Sequence, residues 1–177
     1  VVNPATGVFQ WTPSAPSTNT LTLRVTDDGT PALNDTQAFT IVVEPPINVV
    51  INEWLADNGG ALADPADGQF EDWFELFNPG DQPVDLSGYY LTDTLTNTTK
   101  WLIPSGTIIP AHGYLLVWAD GEPGQNVSGG DLHADFSLSQ SGAVIGLYGA
   151  GDLVINAVTF GDQSTGVTEG RFPDGSA

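Results

Sequence analysis

Cysteine is absent from the 177 residues. That excludes a disulfide framework, a thiolate zinc site and a cysteine nucleophile. Methionine is absent as well, position 1 included, so the sequence reads as a processed or excised piece of a longer chain. Positive charge is nearly missing: Arg24, Lys100 and Arg171 stand against 22 acids, for a net charge of −19. Such a balance gives nucleic acid no basic footprint and an anionic membrane surface none either. No apolar run approaches the ~20 residues of a membrane span, and nothing reads as a signal peptide. No stretch sustains a helical period. There is no Gly-Xaa-Ser-Xaa-Gly nucleophile elbow, so the plentiful serines do not assemble a recognisable hydrolase motif.

Against these absences stand 40% hydrophobic residues, 21 glycines and 13 prolines. Enough apolar surface for a core, cut into short runs by turn formers, predicts an all-β sandwich. The run Glu71-Asp72-Trp73-Phe74-Glu75-Leu76-Phe77-Asn78 organises the rest. It reads as a strand stopped by Pro79-Gly80. Period two puts Trp73, Glu75 and Phe77 on one face and Asp72, Phe74, Leu76 and Asn78 on the other. Both faces are largely apolar, so the strand belongs inside a sandwich, with its acids near an edge, a turn or a cation.

Two domains are expected, residues 1–46 and 47–177. In the first, Val8–Trp11, Leu21–Thr26 and Ala38–Val43 read as strands, with Asp27-Asp28-Gly29-Thr30-Pro31 as a dense turn between the last two. Three strands do not close a sandwich of ~7. Their apolar side chains therefore predict an association surface, with other domains or copies of the same protein as partners. The second domain offers seven strand candidates: Val49–Trp54, Trp73–Asn78, Gly88–Thr92, Lys100–Ile103, Tyr114–Trp118, Ala143–Tyr148 and Leu153–Phe160. Tyr114–Trp118, apolar on both faces, predicts an interior strand. The last two candidates predict a hairpin across Gly149-Ala150-Gly151-Asp152.

Two resemblances follow from these segments. Asn3-Pro4-Ala5-Thr6-Gly7-Val8-Phe9-Gln10-Trp11, with Leu23-Arg24-Val25-Thr26-Asp27-Asp28-Gly29, resembles the C-terminal half of a bacterial cadherin-like or immunoglobulin-like repeat. Val43-Glu44-Pro45-Pro46-Ile47-Asn48 departs from the calcium-binding linker such repeats carry, and Pro45-Pro46 would stiffen the junction without metal. Residues 49–162 resemble the bacterial lamin tail domain. The resemblance rests on Ile51-Asn52-Glu53, Asp72–Asn78, Asp85-Leu86-Ser87-Gly88-Tyr89-Tyr90-Leu91, Lys100-Trp101, Ile109–Leu115, Phe136–Ser139 and Ile145-Gly146-Leu147-Tyr148. It implies an immunoglobulin-like fold and a non-catalytic role in large secreted or surface proteins.

Aspartate outnumbers glutamate 16 to 6. Short acids suit turns, and they equally suit calcium loops. Asp64, Asp67, Asp72 and Glu75 fall in one loop-to-strand passage, with Gly68 for a sharp turn. Pairing of Val49–Trp54 with Trp73–Asn78 would project Glu53 beside Glu75. These five acids are the candidate ligands for Ca2+; the bland alternative has Glu53 and Asn52 capping turns or pairing with Lys100 or Arg171. An ion would also order the stretch Asn58–Gln69, whose glycines and alanines predict no fixed shape of its own. Asp131-Leu132-His133-Ala134-Asp135 could hold a transition metal, against a loop histidine packed on Phe136. His112 reads as a turn residue. Tyr89, Tyr90, Trp101 and Trp118 could stack on sugar rings, against a core role for the tryptophans.

The sequence thus predicts a non-catalytic, extracellular structural or adhesive β module. Polysaccharide or cell-wall binding, or service as accessory to a secreted hydrolase, is the alternative. An exposed row of aromatics would favour sugar binding, and a buried row the scaffold.

Overall fold

The computed structural model describes residues 2–3, 5–14, 16–43 and 46–176. They form an all-β chain that divides into two compact units, Val1–Pro46 and Ile47–Ala177. Glu44 and Pro45 lie outside the described residues, and with them the stiffening expected of the junction.

In the first unit, β1 (Ser17–Thr26) and β2 (Asn34–Val43) make one antiparallel hairpin, in register from Ser17↔Val43 to Thr26↔Asn34. Asp27 closes its turn, accepting from Gly29 N at 3.1 Å and Leu33 N at 2.8 Å. Both strands run longer than their alternation predicts, because the cross-strand ladder continues through the polar residues 17–20 and 34–37. Val8–Trp11 does not form the expected strand; it contributes only an isolated bridge between Phe9 and Val2. Phe9, Trp11, Leu23 and Phe39 are exposed, while Leu21 and Ile41 are half-buried.

The second unit is a sandwich. Its larger sheet contains β3 (Val50–Leu55), β4 (Trp73–Phe77), β9 (Tyr114–Trp118), β10 (Leu132–His133) and β13 (Glu169–Gly170), in the order β10-β9-β4-β3-β13. The facing sheet contains β6 (Tyr90–Thr92), β7 (Trp101–Leu102), β11 (Ala143–Gly149) and β12 (Leu153–Phe160), in the order β12-β11-β6-β7. A small ladder pairs β5 (Val84–Asp85) with β8 (Ile108–Ile109). The two faces of β4 separate as its period requires. Phe74 and Leu76 enter the main core with Ile51, Val117, Leu91, Ile145 and Leu147, whereas Trp73 packs in a second cluster with Leu55 and Trp118. The interior strand Tyr114–Trp118 lies between β4 and the two-residue β10, and β11 and β12 form the expected hairpin.

Candidate metal centre

The register of β3 against β4 places Glu53 opposite Glu75, as their strands predict. A bulge at Asn52 turns its side chain across the pair, and Asn52 Nδ2 donates to Glu75 Oε1 at 3.0 Å. Burial raises the pKa of Glu75, the Asn52 hydrogen bond opposes that, and the negative Glu53 and Asp174 add to the rise. The folded state therefore holds this proton more tightly than the unfolded chain. Its stabilising effect is full below the ordinary glutamate range and is lost as pH rises through the raised value. Glu75→Gln keeps an acceptor for Asn52 and removes the repulsion. We expect a gain of about 0.2–1 kcal/mol at pH 7 and none at pH 4; thermal melts at the two pH values check this, and equal effects at both would refute it. Neither partner of the bland alternative meets Glu53 in an ion pair: Lys100 Nζ bonds Asp93 Oδ1 at 2.6 Å, and Arg171 Nε donates to Ile51 O at 2.9 Å.

Asp64 and Asp67 lie elsewhere, in the loop between β3 and β4. This loop takes its shape from its own hydrogen bonds, contrary to the expectation from its glycines and alanines. Asn58 is buried at its centre. Its Nδ2 donates to Leu62 O at 2.6 Å and Glu71 O at 2.7 Å, and its Oδ1 accepts from Ala61 N and Leu62 N. Asp64 N donates to Gln69 O, and Gly68 N to Asp64 O, closing a tight turn. Gly68 has φ +82°, a left-handed conformation that side chains other than asparagine and aspartate rarely adopt. Asp57 ties down the base of the loop, its Oδ2 accepting from Gln140 Nε2 at 2.6 Å and from Thr165 Oγ1.

So folded, the loop sets Asp64 beside β10. The side chains of Asp64 and Asp120 are fully buried, and that of His133 nearly so. The imidazole Nδ1–H donates to Asp120 Oδ2 at 2.6 Å. Asp64 Oδ2 stands 3.4 Å from the same nitrogen but accepts no hydrogen bond from it or from any other group. Asn126 fixes the histidine backbone, accepting from His133 N at 3.0 Å and donating to His133 O at 2.7 Å.

Two sets of candidate ligands share Asp64: Asp64, Asp120 and His133, and Asp64, Asp67 and Glu71, the atoms of each set lying within 4.8 Å of one another. Burial pushes Glu71 up to about 7, and the negative Asp67, Asp120, Glu122 and Asp64 push the same way. Gln125, in the short turn Pro123–Gln125, donates from Nε2 to Asp67 Oδ2 at 3.4 Å and to Glu122 Oε2. Its Oε1 is buried without a hydrogen bond, as is Glu71 Oε2.

The five acids singled out in the sequence therefore occupy three places. Asp64 and Asp67 share the loop cluster. Glu53 and Glu75 oppose each other on the sheet. Asp72 sits at the start of β4, where burial raises its pKa, the Asn58 amide opposes and the neighbouring Asp57 adds to the rise. The loop folds back through Asn58, which carries Asp64 toward β10 and away from the strand acids. Sequence reading missed Glu71, Asp120, Glu122 and Gln125 as neighbours of Asp64. Glu71 was visible in the organising stretch, but the last three are joined to the loop only through the sheet. His133 is not a loop residue: it lies in β10, held by Asp120.

Residues 43–162 match the family model of the lamin tail domain. The chain belongs to the lamin tail domain family. No curated protein and no solved structure matches it significantly. In this lamin tail domain the sugar-stacking candidates are drawn inward: Trp118 is fully buried, Trp101 is buried, and Tyr89 and Tyr90 are half-buried. His112 does occupy a turn, at φ +53°, and its Nε2 lies 2.9 Å from Asp81 Oδ1.

Proposed function

We propose that this lamin tail domain is a non-catalytic structural module of an extracellular or surface protein, spacing or anchoring neighbouring domains. The observation that carries the reading is the burial of Trp101 and Trp118, which commits to the core the rings that a sugar-binding face would display. A net charge of −19 and the absence of cysteine and methionine agree with a chain built for solubility outside the cell. The hairpin unit before it, with its exposed Phe9, Trp11, Leu23 and Phe39, serves as an association surface for other domains or copies of the same protein. It is read as part of a cadherin-like repeat.

The test replaces residues 47–177 in the parent protein with an unrelated β-sandwich of similar span. Display of the neighbouring domains at the cell surface should survive the exchange. Loss of attachment to cell-wall polysaccharide, with display intact, would overturn the spacer reading in favour of sugar binding.

A further inference from the structure

The acidic cluster that Asp64, Asp67 and Glu71 form in the β3–β4 loop contains more than crowded carboxylates. Three of its oxygens, Asp64 Oδ2, Glu71 Oε2 and Gln125 Oε1, are buried and accept no hydrogen bond. All three are acceptors, and Asp64 is fully buried. Buried acceptors without a donor are costly and rare in native proteins. Asp64 and Glu71 offer ligand atoms within 4.8 Å of each other and of Asp67, Asp120 and Glu122 add negative charge beside Glu71, and Gln125 reaches the same cluster through Asp67; such a group wants one positive centre. We propose that this cluster binds a single calcium ion through Asp64, Asp67, Glu71 and the side-chain carbonyl of Gln125, while His133 acts as a positioning residue that holds Asp120 beside it.

Donor chemistry selects the ion. The donors are oxygens, which suit a hard cation. The ring nitrogen nearest the cluster, His133 Nδ1, is committed to Asp120 at 2.6 Å, which argues against zinc or copper. Oxygens on opposite sides of a calcium ion stand roughly 5 Å apart, from bonds of ~2.3–2.6 Å each. The ligand atoms of Asp64, Asp67 and Glu71, within 4.8 Å of one another, fit round such a centre. The way the cluster is held supports this too. The tight turn at Gly68, the Asn58 bonds and the Asn126 clamp on His133 hold the donors from separate parts of the chain. The strand pair Glu53 and Glu75 has no such set of orphaned oxygens and lies outside the proposed site.

The test is isothermal titration of CaCl2 into the chain, alongside thermal melts at fixed ionic strength with calcium, magnesium or sodium, and after chelation. We expect one calcium per chain, with Kd on the order of 10⁻⁴–10⁻³ M, in the range of extracellular modules. Millimolar calcium should raise the melting temperature by about 5 °C, reversibly on chelation. Glu71→Gln and Asp67→Asn should each weaken binding at least tenfold. Because they relieve repulsion, they should melt no lower than the parent chain in chelator, which separates loss of the site from loss of the fold. Asp162→Asn, at an exposed position, should leave the titration unchanged. Absence of binding heat with no shift beyond that of sodium would overturn the proposal. So would calcium binding that survives Glu71→Gln and Asp67→Asn but disappears in the Glu53→Gln/Glu75→Gln double variant.

Discussion

Replacing His133 by leucine is expected to lower the stability of the lamin tail domain by about 3 kcal/mol in calcium-free buffer. Leucine fills a similar volume and suits a buried strand, so the cost is not one of packing. It comes from the carboxylates left behind. Asp120 Oδ2 loses its 2.6 Å donor, and Asp64 Oδ2, not hydrogen-bonded but 3.4 Å from the same nitrogen, loses the ring's polar edge. Both side chains are fully buried, so water does not replace the donor. Removing one member of a buried charged hydrogen bond leaves the other's desolvation uncompensated. A second substitution separates this from a general defect of β10. Asp120→Asn in the His133→Leu background removes the stranded charge, and it should recover at least half of the loss. Chemical denaturation of the single and double variants measures both. A His133→Leu chain within 1 kcal/mol of the parent, or a double variant no better than the single, would contradict the expectation; 1 kcal/mol here is roughly the net worth of one neutral hydrogen bond.

Asn58→Ala should cost a comparable amount, about 3 kcal/mol, from four hydrogen bonds at a net of roughly 0.5–1.5 kcal/mol each. The loss falls on the loop first. Leu62 O and Glu71 O each lose a donor, and Ala61 N and Leu62 N each lose an acceptor. Asn58→Asp discriminates. It has the same size and keeps the acceptor, but it turns Nδ2, the source of both donations, into a carboxylate oxygen that faces two carbonyls. It should therefore be as damaging as alanine, or more so. Limited proteolysis reads the local effect: new cleavage should appear between residues 59 and 70 while the two sheets stay protected. Cleavage spread evenly over the chain would mean that Asn58 supports the whole fold and not the loop.

Period and turn chemistry carried most of the sandwich. Tyr114–Trp118 and Leu153–Phe160 begin and end where their alternation and flanking turns predict. The faces of Trp73–Phe77 separate as period two requires. What escaped is short. The ladders at residues 84–85, 108–109, 132–133 and 169–170 are two residues each, too few for any period to register. One of them matters most for the site. The parallel pairing of His133 with Trp118 brings the histidine to the end of β9, two residues from Asp120. Without that pairing, Asp120 and Asp64 are merely two of 16 aspartates. Local spacing found Asp64, Asp67 and the turn at Gly68, because those depend on neighbours in sequence. It attached Asp72 and Glu75 to them for the same reason, and the pairing of β3 with β4, which does set Glu53 opposite Glu75, then drew Glu53 into the same group. The loop's stiffness was misjudged because one buried asparagine outweighs the glycines around it.

The closing strand has a mechanical consequence. β13 pairs with β3 at the edge of the larger sheet, Glu169 against Trp54 and Gly170 against Glu53. Beyond it, Arg171 N bonds Asn52 O, Arg171 Nε bonds Ile51 O, and Gly175 N bonds Asn52 Oδ1. As the chain advances past residue 169, it therefore runs back toward the beginning of β3. Tension applied before residue 47 and after residue 176 would pull both strands from the same end. Antiparallel strands loaded in that way part like a zipper, one link after another, and not by sliding past each other with every link strained together. The closing segment would thus yield first and at low force, giving slack while the two sheets behind it remain folded.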